Sequence, residues 1–319
     1  MKNLNINYKQ FSDLINLRNN VFYPLKNFPN REQLLDIIIK QKYKKKFFPF
    51  PIFLGVDRQT FLKLKGISKI NLIYKKNKIV EIDKIKFFSI KRKIIRKYLI
   101  PNRFKKHQYF KDYDDVFRYM NFNISKIFKK NFRHRYFISP KKFIKKNKIK
   151  NLKYLAAFHT RNVPHKAHEW IHDFLVNKYN NLLIQPLVGQ YRKGEFKDAV
   201  ILNTNKMILK KYKNSDKKVF SIPFFSYPRY GGPKEAALHS LVRRNYGCTH
   251  FWVGRDHAGL KNYYKIYDSR EYCKKNQKKL GLTIVYKNEP LLCKICKKIS
   301  VQKCCDNRKT EKLSGTKIR

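Results

Sequence analysis

The segment 159–169, His-Thr-Arg-Asn-Val-Pro-His-Lys-Ala-His-Glu, carries the densest chemistry in the chain. His165 and His168 are three residues apart, so in a helix they share one face of the first turn. Free backbone N–H groups and the positive end of the helix dipole lie at the same place. Arg161 adds a guanidinium just upstream. Together these groups predict a site for a polyphosphate, although an HxxH pair alone is more typical of ordinary, satisfied histidines.

The elements around this segment predict how it is positioned. An apolar run precedes it and an amphipathic run follows it, which is typical of a strand, a tight turn and a helix start. Pro164 is tolerated as a first helical residue because its missing N–H would have no partner there. Alternating patterns continue downstream, with predicted strands at 152–158, 182–188, 219–224, 249–253 and 283–286, and predicted helices at 164–179, 198–212, 233–246 and 269–280.

This alternation predicts a mostly parallel sheet covered by helices, whose ligands bind beyond the carboxyl ends of the strands. The loops 159–168, 189–194 and 254–259 all follow predicted strands on that edge. In the last loop, Gly254 and Gly259 allow close backbone approach and Arg255 offers a cationic fork. Alone, this loop could be a plain glycine turn, and Gly-Gly-Pro at 231–233 favours a structural turn before a helix.

Taken together, these strings resemble the ATP sulfurylase family. The first segment resembles its Thr-Arg-Asn-x-x-His-x-x-His signature, a variant of the HxGH nucleotidyltransferase motif, and 254–259 is identical to its Gly-Arg-Asp-His-Ala-Gly motif. Residues 229–236 resemble Arg-Tyr-Ala-Gly-Pro-Arg-Glu-Ala, with Gly231 in place of Ala, and 314–319 resemble Ser-Gly-Thr-x-Val/Ile-Arg. No G-x-x-x-x-G-K-[ST] loop is present, so the resemblance is to the single-chain type without a kinase domain.

The resemblance implies an α/β fold with an α+β extension. An N-terminal β-rich, PUA-like domain is expected at 1–138. A Rossmann-like, parallel-sheet nucleotidyltransferase domain follows at 139–282, and a small C-terminal lobe occupies 283–319.

The implied reaction is sulfate adenylyltransfer in sulfur metabolism: ATP and sulfate give adenosine 5′-phosphosulfate and diphosphate by in-line attack of sulfate on the α-phosphorus. Sulfate is already ionised, so catalysis reduces to positioning and charge stabilisation. Mg²⁺ is expected to enter as MgATP without a dedicated protein cage. The implied catalytic residues are Thr160, Arg161, Asn162 and Arg255, and the implied substrate and ATP contacts are His159, His165, His168, Gly254, His257, Ala258 and Ile318.

One position departs from the family inside this site. The family usually has Gln where this chain has His159, and that Gln helps to hold sulfate. A neutral imidazole can donate one hydrogen bond in its place, which predicts altered sulfate affinity or altered pH dependence.

Four of the six cysteines, Cys293, Cys296, Cys304 and Cys305, fall in the last 27 residues, which favours a local metal site over a disulfide framework. The resemblance implies a structural zinc on C-x2-C, a third Cys and a His. Cys293, Cys296 and Cys305 fit that spacing, but Asn307 and Lys309 occupy the region of the His. Cys304 could complete a four-thiolate site, although neighbouring cysteines rarely point at one ion. A zinc knuckle and an empty site both remain open.

The net charge is +54, from 75 basic and 21 acidic residues, which ordinarily suggests a nucleic-acid partner. The lysines are spread widely, and Lys, Asn, Ile, Phe and Tyr are enriched together, so AT-rich codon drift explains the charge and no specific nucleic acid is expected. No run of 18 apolar residues and no signal peptide occur, which predicts a cytoplasmic protein without a membrane partner. Family members are commonly homo-oligomers.

Three alternatives remain beside a sulfate adenylyltransferase. A related adenylyltransferase could act on a phosphorylated or carboxylate acceptor. A basic RNA-binding protein would instead show clustered cationic and aromatic surfaces. An eroded enzyme would fold without turning over.

Overall fold

The computed structural model describes residues 1–99, 115–189, 196–260, 263–301, 305 and 309–313. The strands are β1 (Lys2–Asn5), β2 (Lys42–Tyr43), β3 (Lys46–Phe47), β4 (Leu54–Val56), β5 (Lys69–Tyr74), β6 (Asn77–Phe88), β7 (Arg118–Ile127), β8 (Ala156–Thr160), β9 (Asn181–Gly189), β10 (Lys218–Ser221), β11 (Phe224–Ser226), β12 (His250–Trp252), β13 (Thr283–Val285), β14 (Leu291–Cys293), β15 (Ile299–Ser300) and β16 (Thr310–Lys312). The helices are α1 (Tyr8–Arg18), α2 (Arg31–Lys40), α3 (Arg58–Leu64), α4 (Arg92–Leu99), α5 (Pro140–Lys146), α6 (Lys166–Tyr179), α7 (Asp198–Lys210), α8 (Gly232–Asn245), α9 (Asp268–Lys275) and α10 (Gln277–Leu280). Within the described ranges, none of these helices combines the length and hydropathy needed to cross a membrane.

The central sheet is parallel, as the alternating pattern predicts. Its strand order is β10-β9-β8-β12-β13, and β11 extends the pairing along β9. From β8 the chain adds β9 and β10 on one side, whereas β12 and β13 lie on the other. The order therefore reverses between β8 and β12, and a crevice opens beyond their carboxyl ends. Both signature loops, 159–168 and 254–259, leave the sheet at this reversal.

The helix after the first signature starts later than predicted. His165 is its N-cap, with extended backbone angles (φ −142°, ψ 169°), so α6 begins at Lys166 rather than Pro164. Pro164 therefore precedes the N-cap instead of occupying the first helical position. The unpaired N–H groups of the first turn therefore belong to residues 166–168, next to both histidine rings.

The N-terminal part contains the expected sheet but also helices that the β-rich description omits. Five strands form a sheet in the order β1-β5-β6-β7-β4, and α1 to α4 pack around it. Reciprocal capping boxes start two of these helices, Asn7 with Gln10 at α1 and Asn30 with Gln33 at α2. The Asn-x-x-Gln spacing was a readable signal for both helices.

The N-terminal part and the parallel sheet share one hydrophobic core. Phe22 and Phe224 meet edge to face with ring centroids 6.4 Å apart, and Asn16 donates its amide to the Phe225 carbonyl at 2.8 Å. The Tyr8 hydroxyl donates to the Ser226 carbonyl at 3.0 Å. It lies where a side chain at Gly189 would stand, 1.3 Å from an ideal Cβ, so only glycine fits there. These contacts fix the N-terminal part against the β9 edge of the site.

The last strand of the parallel sheet lies at the expected start of the C-terminal lobe. Residues 283–285 form β13, which pairs with β12 along His250↔Thr283, Phe251↔Ile284 and Trp252↔Val285 and so belongs to the parallel sheet. The separate antiparallel sheet, ordered β15-β14-β16, begins at Leu291. The two sheets are separated by residues 286–290, and the domain boundary at residue 283 stays a prediction.

A buried ion pair joins the N-terminal part to the loop before α8. The Arg229 guanidinium donates to both carboxylate oxygens of Asp13, and the Tyr227 hydroxyl donates to the same carboxylate at 3.0 Å. Asp13 and Arg229 side chains are only 3% and 6% exposed. A buried charge that loses its partner is strongly destabilising.

We expect Asp13→Asn to lower the free energy of unfolding by about 3–5 kcal/mol, because it leaves the Arg229 charge buried without a carboxylate. Urea denaturation measures this. Asp36→Asn is the matched control, since it removes the exposed 2.8 Å pair with Lys40 and should cost less than about 1 kcal/mol. Equal losses in the two variants would contradict the expectation.

Candidate active site

A cavity of about 360 Å³ opens at the reversal of strand order, within the usual range for a small-molecule site. The ten expected site residues that the structure describes all line it, namely His159, Thr160, Arg161, Asn162, His165, His168, Gly254, Arg255, His257 and Ala258. Ile318 lies outside the described residues. Leu313 also lines the cavity, so the C-terminal lobe borders it.

Arg161 is held at the cavity by a residue that sequence reasoning did not select. Its guanidinium donates to the Tyr230 hydroxyl at 3.0 Å and lies 5.4 Å from the centre of that ring. Tyr230 adopts left-handed backbone (φ 57°), and Gly232 follows with φ +53°. A Cβ at Gly232 would lie 2.6 Å from the Tyr264 ring, which requires glycine there. The Tyr-Gly-Gly turn therefore aims a fixed hydroxyl at the arginine.

His165 and His168 meet as the helical spacing predicts. Their rings stack with centroids 3.8 Å apart, and the buried Nδ1 of His165 has no hydrogen-bond partner among the described residues. Burial lowers the pKa of His165, and burial together with His165 lowers that of His168 well below its usual value. Both imidazoles are therefore neutral near pH 7, so each carries one N–H donor rather than a full positive charge, and the His168 ring also interacts with the Val163 backbone.

The second signature loop forms a tight turn that contacts the start of α8. Asp256 and Ala258 have left-handed backbone (φ 48° and 59°), and the Ala258 carbonyl accepts the Gly232 N–H at 3.0 Å. The Arg255 Nε lies 3.2 Å from a Glu289 oxygen. An anion entering the cavity therefore competes with Glu289 for this arginine. Glu289 lies in the connector to the C-terminal lobe and had no sequence signal.

Three histidines converge at the floor of the cavity. His239 Nδ1 lies 3.0 Å from His257 Nε2, and the His159 ring centroid lies 4.5 Å from that of His239. Burial, Arg243 and His257 lower the pKa of His159 well below its usual value. His159 thus stays neutral from pH 6 to 8, so its replacement of Gln is expected to change sulfate affinity and not the pH dependence.

His239 was missed, although a signal existed. Glu235, His239 and Arg243 are spaced at i, i+4 and i+8 on α8, so they form a polar row on one face of a buried helix. Glu235 accepts backbone N–H groups from Arg229 at 2.9 Å and Gly231 at 2.8 Å, which closes the loop before the helix. A polar row inside an apolar helix marks a face turned toward a site.

The cysteine cluster is partly described. The thiols of Cys293, Cys296 and Cys305 lie within 4.8 Å of one another, whereas Cys304 and Asn307 lie outside the described residues. The chain turns tightly at the first pair, since the Lys297 N–H bonds to the Cys293 carbonyl at 2.9 Å. The Lys309 carbonyl accepts the Lys294 N–H at 2.8 Å.

The fold and cavity define an α/β protein with a crevice lined by arginines and histidines at a switch point of its parallel sheet. The family model described as ATP-sulfurylase matches residues 134–319, and the model described as PUA-like domain matches residues 1–100. The chain belongs to the ATP-sulfurylase family. The expected N-terminal PUA-like domain and Rossmann-like parallel sheet are confirmed.

Curated relatives named sulfate adenylyltransferase agree with this assignment. The one from Ignicoccus hospitalis is 40% identical over 53% of this chain and 44% of its own length. The chain thus spans under half of that relative. The one from Carboxydothermus hydrogenoformans is 28% identical over 99% of this chain and 85% of its own length. A structure titled hexameric APS kinase from Thiobacillus denitrificans shares the fold, with a TM-score of 0.70 at 14% identity, over 100% of this chain and 58% of its own.

His172 of α6 provides a test of the buried imidazoles. It is 1% exposed, neither ring nitrogen has a partner among the described residues, and burial lowers its pKa to about 3. Because the unfolded chain binds this proton near pH 6.5 and the folded chain does not, stability is lost as the pH falls through that window.

We expect His172→Leu to reduce the stability lost between pH 7 and pH 5 by roughly 2 kcal/mol, because leucine has no proton to bind. Urea denaturation at the two pH values measures this. Phe174→Leu on the same helix should cost stability equally at both. If the free energy of unfolding of His172→Leu depended on pH as in the wild type, His172 would not be the buried, neutral imidazole described here.

Proposed function

We propose that this protein is a sulfate adenylyltransferase that converts ATP and sulfate to adenosine 5′-phosphosulfate and diphosphate. The observation that carries the proposal is that Arg161, the His165–His168 pair and Arg255 line one cavity at the strand-order reversal. A weak, already ionised nucleophile needs no general base, and no residue of the cavity is required to act as one. The site works by holding two anions in line and stabilising the leaving group.

Each group has a distinct task in this mechanism. Arg161, fixed by Tyr230, binds sulfate. The Thr160 hydroxyl accepts the Asn162 N–H at 3.0 Å, which shapes the turn that carries the α-phosphate. The neutral rings of His165 and His168 donate to the departing diphosphate, together with the free N–H groups at the start of α6. Arg255 leaves Glu289 and adds positive charge to the same end.

Mg²⁺ would accompany the β- and γ-phosphates as MgATP, where it neutralises developing charge. Three carboxylates among the described residues line the cavity, those of Glu235, Asp256 and Glu289, and burial raises the pKa of Asp256. Glu235 is occupied by two loop amides and Glu289 by Arg255. The ion would therefore be held mainly by the nucleotide.

Location and assembly also belong to this proposal. We place the protein in the cytoplasm as a homo-oligomer whose partners are ATP and sulfate, without a specific nucleic acid. The same residues serve both directions of the reaction, so the assignment covers sulfate activation and ATP formation alike.

We expect Arg161→Ala to reduce sulfate-dependent diphosphate release from ATP about a hundredfold or more, because it removes a charged donor aimed at the nucleophile. The measurement compares release with and without sulfate. Arg58→Ala changes an exposed arginine of α3 and should leave the rate unaltered. A wild-type rate that does not depend on sulfate would overturn the function and favour an eroded enzyme.

A second readout separates acceptor classes. Molybdate should stimulate cleavage of ATP to AMP, because it resembles sulfate and its adenylate hydrolyses. An adenylyltransferase for a phosphorylated or carboxylate acceptor would not respond.

We also propose that Cys293, Cys296 and Cys305 hold a structural zinc, with a fourth ligand outside the described residues. Three thiols within 4.8 Å of one another match the donor set that zinc prefers, and the tight turn at Cys293 brings them together. Zinc would supply folding energy to the small sheet β15-β14-β16 and no chemistry to the cavity.

We expect purified protein to contain one zinc per chain by elemental analysis, and Cys296→Ser to lose it and to melt at a lower temperature, because a structural zinc site contributes to folding. Cys248→Ala, which changes a buried cysteine of the parallel-sheet domain, should keep its zinc. Protein that stays free of zinc after expression with added metal would support the empty site instead.

A further inference from the structure

Arg243 is a buried cation beneath the cavity. It is 0% exposed, and within the described residues its guanidinium contacts no carboxylate. Its donors reach His159 Nδ1 at 2.6 Å, the His239 carbonyl at 3.2 Å and the Gln185 carbonyl at 3.5 Å. By contrast, buried Arg229 is paired with Asp13. An uncompensated buried charge is costly, so Arg243 calls for an explanation beyond packing.

The contact with His159 determines where that ring carries its proton. A guanidinium has donors only, so His159 Nδ1 must accept and its proton must sit on Nε2. The Gln185 carbonyl lies 3.1 Å from the same Nδ1 and would receive a proton from it in the opposite tautomer. Arg243 excludes that tautomer. Nδ1 faces Arg243 and the Gln185 carbonyl, so the Nε2–H group is the donor that this cavity-lining ring can offer to a ligand.

The three-histidine cluster could alternatively hold a metal ion, since ring nitrogens of His159, His239 and His257 lie within 4.8 Å of one another. A ligating nitrogen must be unprotonated. The Arg243 contact places the proton on His159 Nε2, and its positive charge stands beside the cluster. The hydrogen-bonding interpretation therefore fits the distances better.

We propose that Arg243 is a positioning residue of the sulfate site: it locks His159 in the Nε2–H tautomer, so that a histidine can donate where an amide would otherwise stand. This inference rests on the proposed function of the cavity. The opposite tautomer would turn a lone pair toward the oxyanion. Losing a hydrogen bond to a charged group costs about tenfold to a hundredfold in affinity.

Histidine tautomers can be read directly, without activity. In protein labelled with 15N-histidine, long-range 1H–15N correlation at pH 7 should show His159 protonated on Nε2, with the signal identified by its loss in His159→Gln. Arg243→Met should move the proton to Nδ1. Wild-type protein with an Nδ1–H at His159 would overturn the proposal. So would stoichiometric Zn²⁺ binding that both His159→Gln and His239→Asn abolish.

A double-mutant cycle on the sulfate KM then tests whether Arg243 acts through His159. Arg243→Met should raise that KM about tenfold or more in the wild-type background. In the His159→Gln background it should raise it much less, because an amide donates regardless of ring tautomer. Equal increases in both backgrounds would mean that Arg243 acts by charge or packing alone, and would overturn the proposal.

Two further variants keep the cycle interpretable. Arg244→Met changes the neighbouring arginine, which donates to the Tyr23 carbonyl at 3.2 Å, and should leave the sulfate KM within about twofold. Arg243→Lys retains one donor and should keep the Nε2–H tautomer even if Arg243→Met does not fold. A wild-type protein without sulfate-dependent turnover would contradict the proposed function. The tautomer measurement does not need turnover, so it tests the role of Arg243 independently.

Discussion

The reversal of strand order between β8 and β12 is the constraint on which the site depends. Parallel strands end at one edge of the sheet, and at a reversal the chains that leave two neighbouring strands turn away to opposite sides. Residues 159–168 and 254–259 are nearly a hundred positions apart in sequence, yet they leave the sheet from adjacent strands. A one-strand change in this order would separate Arg161 from Arg255 regardless of either motif.

Helix α8 packs beneath the cavity and links the loops 159–168 and 254–259. It begins at Gly232, where the Ala258 carbonyl receives its first N–H, and it carries Glu235, His239 and Arg243 along one face. The helix therefore does three things at once: it closes the Tyr230 turn, supports the histidine floor and brings a cation under it. A buried helix tolerates such a row of polar residues only because each of them contacts a loop amide, a ring nitrogen or a carbonyl.

Much of this arrangement was predictable from sequence. Apolar runs predicted five of the six strands of the parallel sheet, and glycines and cations at the strand ends predicted the cavity loops. The N-cap of α6 was misplaced by two residues, because a proline signals a helix start without saying whether the next residue caps it.

The residues that contact the expected site residues could not be predicted from the sequence. Tyr230 and Glu289 reach Arg161 and Arg255 only through tertiary folding, and no local pattern records such a contact. Arg243 could be seen as part of a helical row, but its contact with the His159 ring depends on how α8 packs against β8.

The link between Asp13 and Arg229 has a consequence for how the molecule can be divided. Arg229 immediately precedes Tyr230, so the residue that contacts Arg161 follows directly on a residue paired with Asp13 of α1. If residues 134–319 were isolated from the N-terminal part, the Arg229 guanidinium would lack its carboxylate partner next to the turn that carries Tyr230. The N-terminal residues thus support the turn that holds Arg161, and we expect a protein cut between the two parts to lose the fixed position of that side chain.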